Sequence, residues 1–197
     1  MARTLDDLDP SGLAVGTRVD VNSPLDGEGG LADDARLRAH LDTLDELCAR
    51  GARVAVLAHQ GRPGGTGFSD LAAHADRFDE LLDAPVGYCD GTFTENAREA
   101  VAALAPGEAV VLENTRFYSE EYMEFDPEDA AETYLVRRLV PALDAYVNDA
   151  FAAAHRSQPS LVGFPVELPS FAGRVMEREL EVLGSLGDSP RPRYYVL

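Results

Sequence analysis

Lysine is absent. All seventeen basic residues of the 197-residue chain are arginine, which excludes a phosphate loop of the G-x-x-x-x-G-K-[ST] type. The nearest glycine cluster, "GRPGGTG" at 61–67, lacks the dinucleotide-binding spacing and has no helix opening within it. If this chain holds phosphate, arginine must hold it. Cysteine is nearly absent too: Cys48 and Cys89 fit no metal or redox spacing. Cys48 shares a helical face with Leu41 and Leu44, which points to packing, and no metal site is expected. No run of about 18 apolar residues occurs, so no membrane-spanning helix is expected. The opening "MARTLDDLDPSG" has neither the basic start nor the apolar middle of a secretory leader. The expectation is a cytoplasmic protein with no membrane association.

Positive charge is in short supply. Thirty-five acidic residues against seventeen basic ones give a formal net charge of −18, which argues against a nucleic-acid partner because its phosphates would be repelled. Acid excess with lysine loss resembles proteins of high-salt cytoplasm, where screening lengths shrink to about 3 Å at 1 M salt and self-repulsion is tolerable. Codon bias from a GC-rich genome accounts for the same arginine usage. Neither reading identifies a function.

Short β-like runs alternate with helical patterns along most of the chain. "RVDV" at 18–21 closes a first strand whose approach, "LAVGT", is diluted by Gly16. "DDARLRAHLDTLDELCARG" reads as one helix, capped by Asp33 or Asp34, striped by Leu37, Leu41, Leu44, Leu47 and Cys48, and ended by Gly51. "RVAVLA" (53–58) is a second strand, and Ser69 precedes a helix running through Leu81 and Leu82. "APVGYCD" (84–90) is a third strand, followed by a helix near 94–104 that stops at Gly107. "EAVVLEN" (108–114) is a fourth strand. Pro127 begins a helix capped by Asp126 that runs to about Val140. "DAYVND" (144–149) is a fifth strand, a final helix covers roughly 171–186, and the breaker-rich "GDSPRP" leads to "RYYVL". Buried, non-alternating strands between helices predict an α/β fold: a parallel sheet with helices on both faces.

In such sheets ligands bind beyond the carboxyl ends of the strands, and right-handed crossovers bring all those ends to one edge. Strand one ends in "RVDVNSP", supplying Arg18, Asp20 and Asn22, and Arg36 lies in the first turn of the next helix. Strand two ends in "HQGRP", supplying His59 and Arg62; strand four ends in "ENTRF", supplying Arg116. Strand five leads into "NDAFAAAHRSQPS", supplying Asn148, His155 and Arg156, while strand three offers only "CDG". Taken singly, each has an ordinary structural reading. An arginine after a strand pairs with a carboxylate, a loop histidine is a hydrogen-bonded structural residue, and Asp20 with Asn22 closes a turn before Pro24. Together they are hard to explain that way, because so acidic a chain should not gather its few cations on one edge. Several guanidinium groups beside helix N-termini suit a small, multiply charged anion. Arg50, Arg77, Arg98 and Arg137 fall on helical positions or loops where solvated pairing suffices.

The same segments carry a family resemblance. "RVDVNSP", "HQGRP", "LENTRFY", "YVNDAFAAAHR" and "PSFAGRVMERELEVL" resemble, in order and spacing, the N-terminal lobe of phosphoglycerate kinases. The resemblance implies a Rossmann-like three-layer αβα lobe over 1–185, with 186–197 as the hinge and first strand of a nucleotide-binding domain. It implies reversible phosphoryl transfer between ATP and the carboxylate of 3-phosphoglycerate, giving 1,3-bisphosphoglycerate, as in glycolysis. Asp20, Val21, Asn22 and Arg36 would hold the hydroxyl and carboxylate end of the substrate. His59, Gln60, Gly61, Arg62, Arg116 and Arg156 would surround its phosphate, and Arg36 would be the catalytic residue, stabilising the phosphoryl in transfer. The implied partners are a C-terminal nucleotide-binding lobe carrying Mg-ATP or Mg-ADP, none of it bound by this chain alone, in a monomeric full-length enzyme.

Three departures stand out. The family usually has leucine where Gln60 stands, a position expected to act mainly through its backbone. Gln158 replaces a common second histidine, and alanines at 152–154 replace Gly-Thr. The glycine-rich nucleotide loops and magnesium-binding aspartate of the second lobe are not present, so the chain is expected to bind 3-phosphoglycerate weakly and to have negligible kinase activity. The alternative is a stand-alone, non-catalytic domain that binds or senses a small phosphorylated acid.

The charge balance generates a direct prediction. The urea midpoint should rise steadily between 0.1 M and 2 M KCl as self-repulsion is screened; a midpoint that stays flat or falls contradicts it.

Overall fold

Residues 2–186 are described by the computed structural model of the protein. Six short runs rich in valine, alanine and leucine form β1 (Ala14–Arg18), β2 (Arg53–Leu57), β3 (Val86–Cys89), β4 (Ala109–Leu112), β5 (Ala145–Asn148) and β6 (Ser170–Ala172). They pair in one sheet of order β3-β4-β2-β1-β5-β6, and every pairing is parallel. The strands lack polar alternation because both faces are covered. Along β2, Val54 and Val56 join a core that includes Leu37, Leu44, Leu47, Phe78 and Val147. Their neighbours Ala55 and Leu57 join a second core, with Val101, Leu135, Leu139, Tyr146 and Phe164.

The helices are α1 (Ala35–Ala39), α2 (Leu41–Ala49), α3 (Ala72–Leu81), α4 (Glu95–Ala103), α5 (Pro127–Ala131), α6 (Tyr134–Leu139), α7 (Pro159–Val162), α8 (Phe164–Glu167) and α9 (Arg174–Ser185). The strand order turns around at β1, which has β2 on one side and β5 on the other. The chain leaves β1 toward β2 and leaves β5 toward β6, so a crevice opens between these exits, where open α/β sheets bind ligands.

The expected elements shift in several places, each for a local reason. The first strand is the "LAVGT" approach rather than "RVDV". Gly16 serves it, because a Cβ there would lie 2.7 Å from Leu143 Cδ1, which packs over the strand. The single helix expected over 33–51 is two, α1 and α2, parted at His40, whose side chain turns inward to Asp149. Asp33, not Asp34, takes the capping role by accepting from Ala35 N at 2.9 Å; Asp34 pairs with Arg38 and Arg77. Gly51 ends α2 at φ +81. α3 begins at Ala72, where Asp70 accepts from the first backbone N–H.

The helix expected from Pro127 to Val140 is interrupted at Thr133, whose hydroxyl donates back to Ala130 O at 2.7 Å. Residues 170–172 form β6 instead of opening the last helix; three residues carry too little pattern to separate the two. The expected "RYYVL" strand lies outside the described residues.

Candidate functional site

The loops leaving β1, β2 and β4 are tied to one another before any ligand enters. Asn22 Oδ1 accepts from Gly61 N at 2.7 Å, joining the β1 and β2 exits. Asn114, fully buried after β4, donates to Gln60 O at 2.8 Å and to Ser69 O at 2.7 Å, and accepts from Arg116 N at 3.0 Å. The Gln60 side chain accepts from Ser23 N at 2.9 Å and from His74 Nε2 at 3.2 Å, and donates to Ser23 O at 2.8 Å and Gly67 O at 3.0 Å. The Gln60 backbone is engaged as well, its N–H donating to Asn114 Oδ1 at 3.3 Å, so Gln60 stitches neighbouring loops together, a contribution the sequence did not signal. Gly61 is required: its φ is +69, and a Cβ would sit 2.3 Å from Gly67 O.

On this scaffold the cations converge. Arg116 Nη1 donates to Gly61 O at 2.8 Å, its guanidinium lies 5.6 Å from the Tyr122 ring centroid, and its Nε is buried with no partner. Burial and the fields of Arg156, Arg18 and Arg62 lower the Arg116 pKa. His59, 4% exposed, feels Arg18, Arg116, Arg156 and Arg36 together. Burial first, and then those four cations, push its pKa down to about 2. Arg62, Arg116 and Arg156 have no carboxylate partner among the described residues; Arg3, Arg98, Arg138 and Arg178 also lack one, but Arg62 and Arg156 lie close enough to Arg116 to lower its pKa. In a chain with twice as many acids as bases, cations left unneutralised at one edge mark a place for an external anion. Arg36, half exposed, pairs with the nearly buried Asp20.

Several sequence-selected residues sit elsewhere than expected. Arg18 is no rim cation: it is fully buried beneath His59, donating to Ser160 Oγ at 3.0 Å and to His59 Nδ1 at 2.8 Å. Val21 is fully buried in the core, so its side chain is not presented to a ligand. Asn148 closes a turn by accepting from Ala150 N, and the exposed His155 accepts from Arg156 Nε at 3.3 Å. Asp90, after β3, accepts from Asn96 instead of joining the group. Arg50 is not simply solvated: it also donates to Leu5 O and Leu8 O.

Some supporting residues were missed. Asp149, fully buried, lies 2.6 Å from His40 Nδ1 and accepts from Val175 N at 2.8 Å at the start of α9. His40 Nε2 in turn accepts from Asp20 N at 3.1 Å. The pair Asp20–Arg36 is thereby connected to the first turn of α9. Gly173 permits this, since a Cβ there would be 2.3 Å from Asp149 Oδ1. The "ND" after strand five and the glycine before α9 were the available signals; Glu121 and Ser160, discussed below, gave none. Among the described residues no group of three or more His, Cys, Asp or Glu could hold a metal ion.

Comparison with known proteins gives the family and the fold. A family model described as phosphoglycerate kinase matches residues 5–197. The chain is 71% identical over 197 residues to the phosphoglycerate kinase of Natronomonas pharaonis, a match taking in 100% of this chain and 50% of that protein. It is 73% identical over 195 residues to that of Halobacterium salinarum, covering 99% of this chain and 49% of that one. The crystal structure of phosphoglycerate kinase from Pyrococcus horikoshii OT3 superposes with a TM-score of 0.91 at 41% identity, over 96% of this chain and 47% of that chain. The chain thus spans about half the length of the curated relatives it matches.

The buried histidines make folding pH-dependent. His59 and His74 have pKa values near 2 and 4, against an ordinary 6.5, because burial disfavours the charged form. The unfolded chain therefore binds protons first as pH falls. Stability is complete above the unfolded value and is lost below it, by about 1.4 kcal/mol per pH unit for each histidine. Urea unfolding at pH 7 and pH 5 should show this loss; equal stabilities would contradict it.

Proposed function

The chain belongs to the phosphoglycerate kinase family, and we propose that it is the 3-phosphoglycerate-binding half of an enzyme that moves a phosphoryl group reversibly between ATP and the carboxylate of 3-phosphoglycerate. The observation that carries this reading is a cluster of guanidinium groups without carboxylate partners: Arg116 and Arg156 act on the buried His59, and Arg62 acts on Arg116. Such a group suits a phosphate dianion, which accepts several charge-assisted hydrogen bonds in fixed directions. In this reading they surround the phosphate, and Gln60 and Gly61, whose backbone N–H groups donate to Asn114 and Asn22, shape the wall beside it. Asp20, Asn22 and the backbone at Val21 take the hydroxyl and carboxylate end.

Arg36 is the catalytic residue of the proposal. It lies at the start of α1, held by Asp20, with half its side chain free to meet incoming negative charge. A carboxylate is already a nucleophile, so the transfer needs no general base. What it needs is alignment and compensation of charge on the equatorial oxygens, which a guanidinium supplies. In this reading the nucleotide and its magnesium belong to a second lobe, which makes up the other half of the relatives' length. In this proposal residues 1–185 are the substrate lobe; the hinge and first strand expected over 186–197 fall, beyond Leu186, outside the described residues. Among the described residues no helix is long and apolar enough to cross a membrane. A cytoplasmic location and a monomeric full-length enzyme complete the proposal.

Arg62→Glu and Arg156→Glu should each weaken calorimetric binding of 3-phosphoglycerate by ~100-fold or more, with unchanged far-UV circular dichroism. Arg138→Glu, on an exposed stretch of α6, is the control and should bind normally. Near wild-type affinity in both site variants would move the pocket elsewhere. Turnover should be negligible in the chain alone and return when a separately made C-terminal half is added; turnover by the chain alone would contradict the assignment of nucleotide binding to that half.

A further inference from the structure

We propose that Arg18 is a positioning residue that fixes His59 as a neutral imidazole carrying its proton on Nε2, so that His59 meets the ligand phosphate as a hydrogen-bond donor of fixed orientation. The phosphate part of this inference rests on the function proposed above; the assignment of the proton does not.

The argument starts from what a guanidinium can do. It has five N–H donors and no acceptor. Arg18 Nη2 lies 2.8 Å from His59 Nδ1, so Nδ1 must be the acceptor and must be bare. The remaining proton of a neutral imidazole is then on Nε2, which has no protein partner among the described residues and is not a sealed, unsatisfied atom. Nε2–H is free to donate to a ligand.

Arg18 cannot turn away from this task. It is fully buried, with Nε donating to Ser160 Oγ at 3.0 Å and Nη1 donating to Val19 O. Ser160 then donates through its hydroxyl to Glu121 Oε2 and through its backbone to Glu121 Oε1, each at 2.7 Å. Glu121 is 1% exposed. The fully buried Tyr146 holds the Ser160 carbonyl from below, its hydroxyl donating at 2.6 Å. Direction is fixed at every link. The Glu121 carboxylate accepts from Ser160, Ser160 accepts from Arg18, and Arg18 donates onward to His59. Reversal would require the guanidinium to accept a hydrogen bond.

The surrounding charge points the same way. The charged groups acting most strongly on His59 are Arg18 from β1, Arg36 from α1, Arg116 after β4 and Arg156 after β5, all cationic. A protonated imidazole would add one more positive charge inside this group and would aim an Nδ1–H at an arginine. The consequence is a division of labour. Arginines compensate the charge of the ligand, and His59 gives direction without changing state across the working pH range. Ligand affinity should then follow the second ionisation of the phosphate monoester, near pH 6, and not a protein histidine.

Nitrogen-15 NMR of the imidazoles tests this without any ligand. The chain has four histidines, and the spectrum of His59→Gln assigns the His59 signals by their disappearance. The expected result is a protonated Nε2 and a bare Nδ1 that do not titrate between pH 5 and pH 8. A titration midpoint inside that range, or a proton on Nδ1, overturns the proposal. In Arg18→Met the His59 midpoint should move upward and the two tautomers should mix; an unchanged spectrum in a folded variant also overturns it. Should Arg18→Met fail to fold, the wild-type spectrum and a second pair of variants decide. A glutamine amide reaches the Nε2 position and an asparagine amide the Nδ1 position. His59→Asn should therefore lose roughly 10- to 100-fold more affinity for 3-phosphoglycerate than His59→Gln; equal losses or the reverse order count against it. If the spectrum is as expected but the wild-type chain binds no 3-phosphoglycerate, the functional reading fails while the role of Arg18 stands.

Discussion

Guanidinium groups are crowded at the carboxyl edge of a parallel sheet without enough carboxylate beside them to cancel their charge, and much of the molecule serves to keep them there. Mutual repulsion and burial work against the arrangement, as the lowered pKa values of His59 and Arg116 record. The fold withstands it in three ways. Arg18, fully buried, is answered by the buried Glu121 through a single serine hydroxyl. The one histidine among them is kept neutral. The remaining arginines reach partly into solvent, where the field of an otherwise acidic chain offsets them at a distance.

Rigidity comes from amides, not from the charges. Asn22, Gln60 and Asn114 each bond to a neighbouring loop's backbone, so the walls of the pocket are set by neutral hydrogen bonds of ordinary length. Glycine at 61 lets the second loop pass where any side chain would collide. A site built this way loses little order when its ligand arrives, which favours binding. The Asp149–His40–Asp20 connection adds a mechanical consequence: the residue that holds Arg36 is bonded, through one histidine, to the carboxylate that caps α9.

Much of this was legible in the sequence. Non-alternating strands such as "RVAVL" announced burial on both faces, and the rule that ligands sit beyond strand ends collected Arg36, His59, Arg62, Arg116 and Arg156 from distant segments. What stayed hidden depended on contacts between distant parts of the chain. Arg18 looked like its neighbours because a strand pattern does not reveal which residue lies beneath the pocket; its burial depends on Ser160 and Glu121, more than a hundred positions downstream. Gln60 read as a tolerated variation because its four partners come from Ser23, Gly67 and His74. The broken helix at His40 was invisible for the same reason. Its leucine stripe continues unbroken across the break, and only Asp149, on the other side of β1, explains the turn. Three-residue β6 was below the length at which a pattern exists.

The central claim is that four arginines from separate segments close on one small polyanion. Side-chain Nε–H spectra of the arginines, followed while 3-phosphoglycerate is added in molar KCl, test it most directly. The signals of Arg36, Arg62, Arg116 and Arg156 should move along one shared saturation curve while those of Arg38, Arg77 and Arg137 remain still. Independent curves for the four, or equal movement of the ion-paired arginines, would contradict the account.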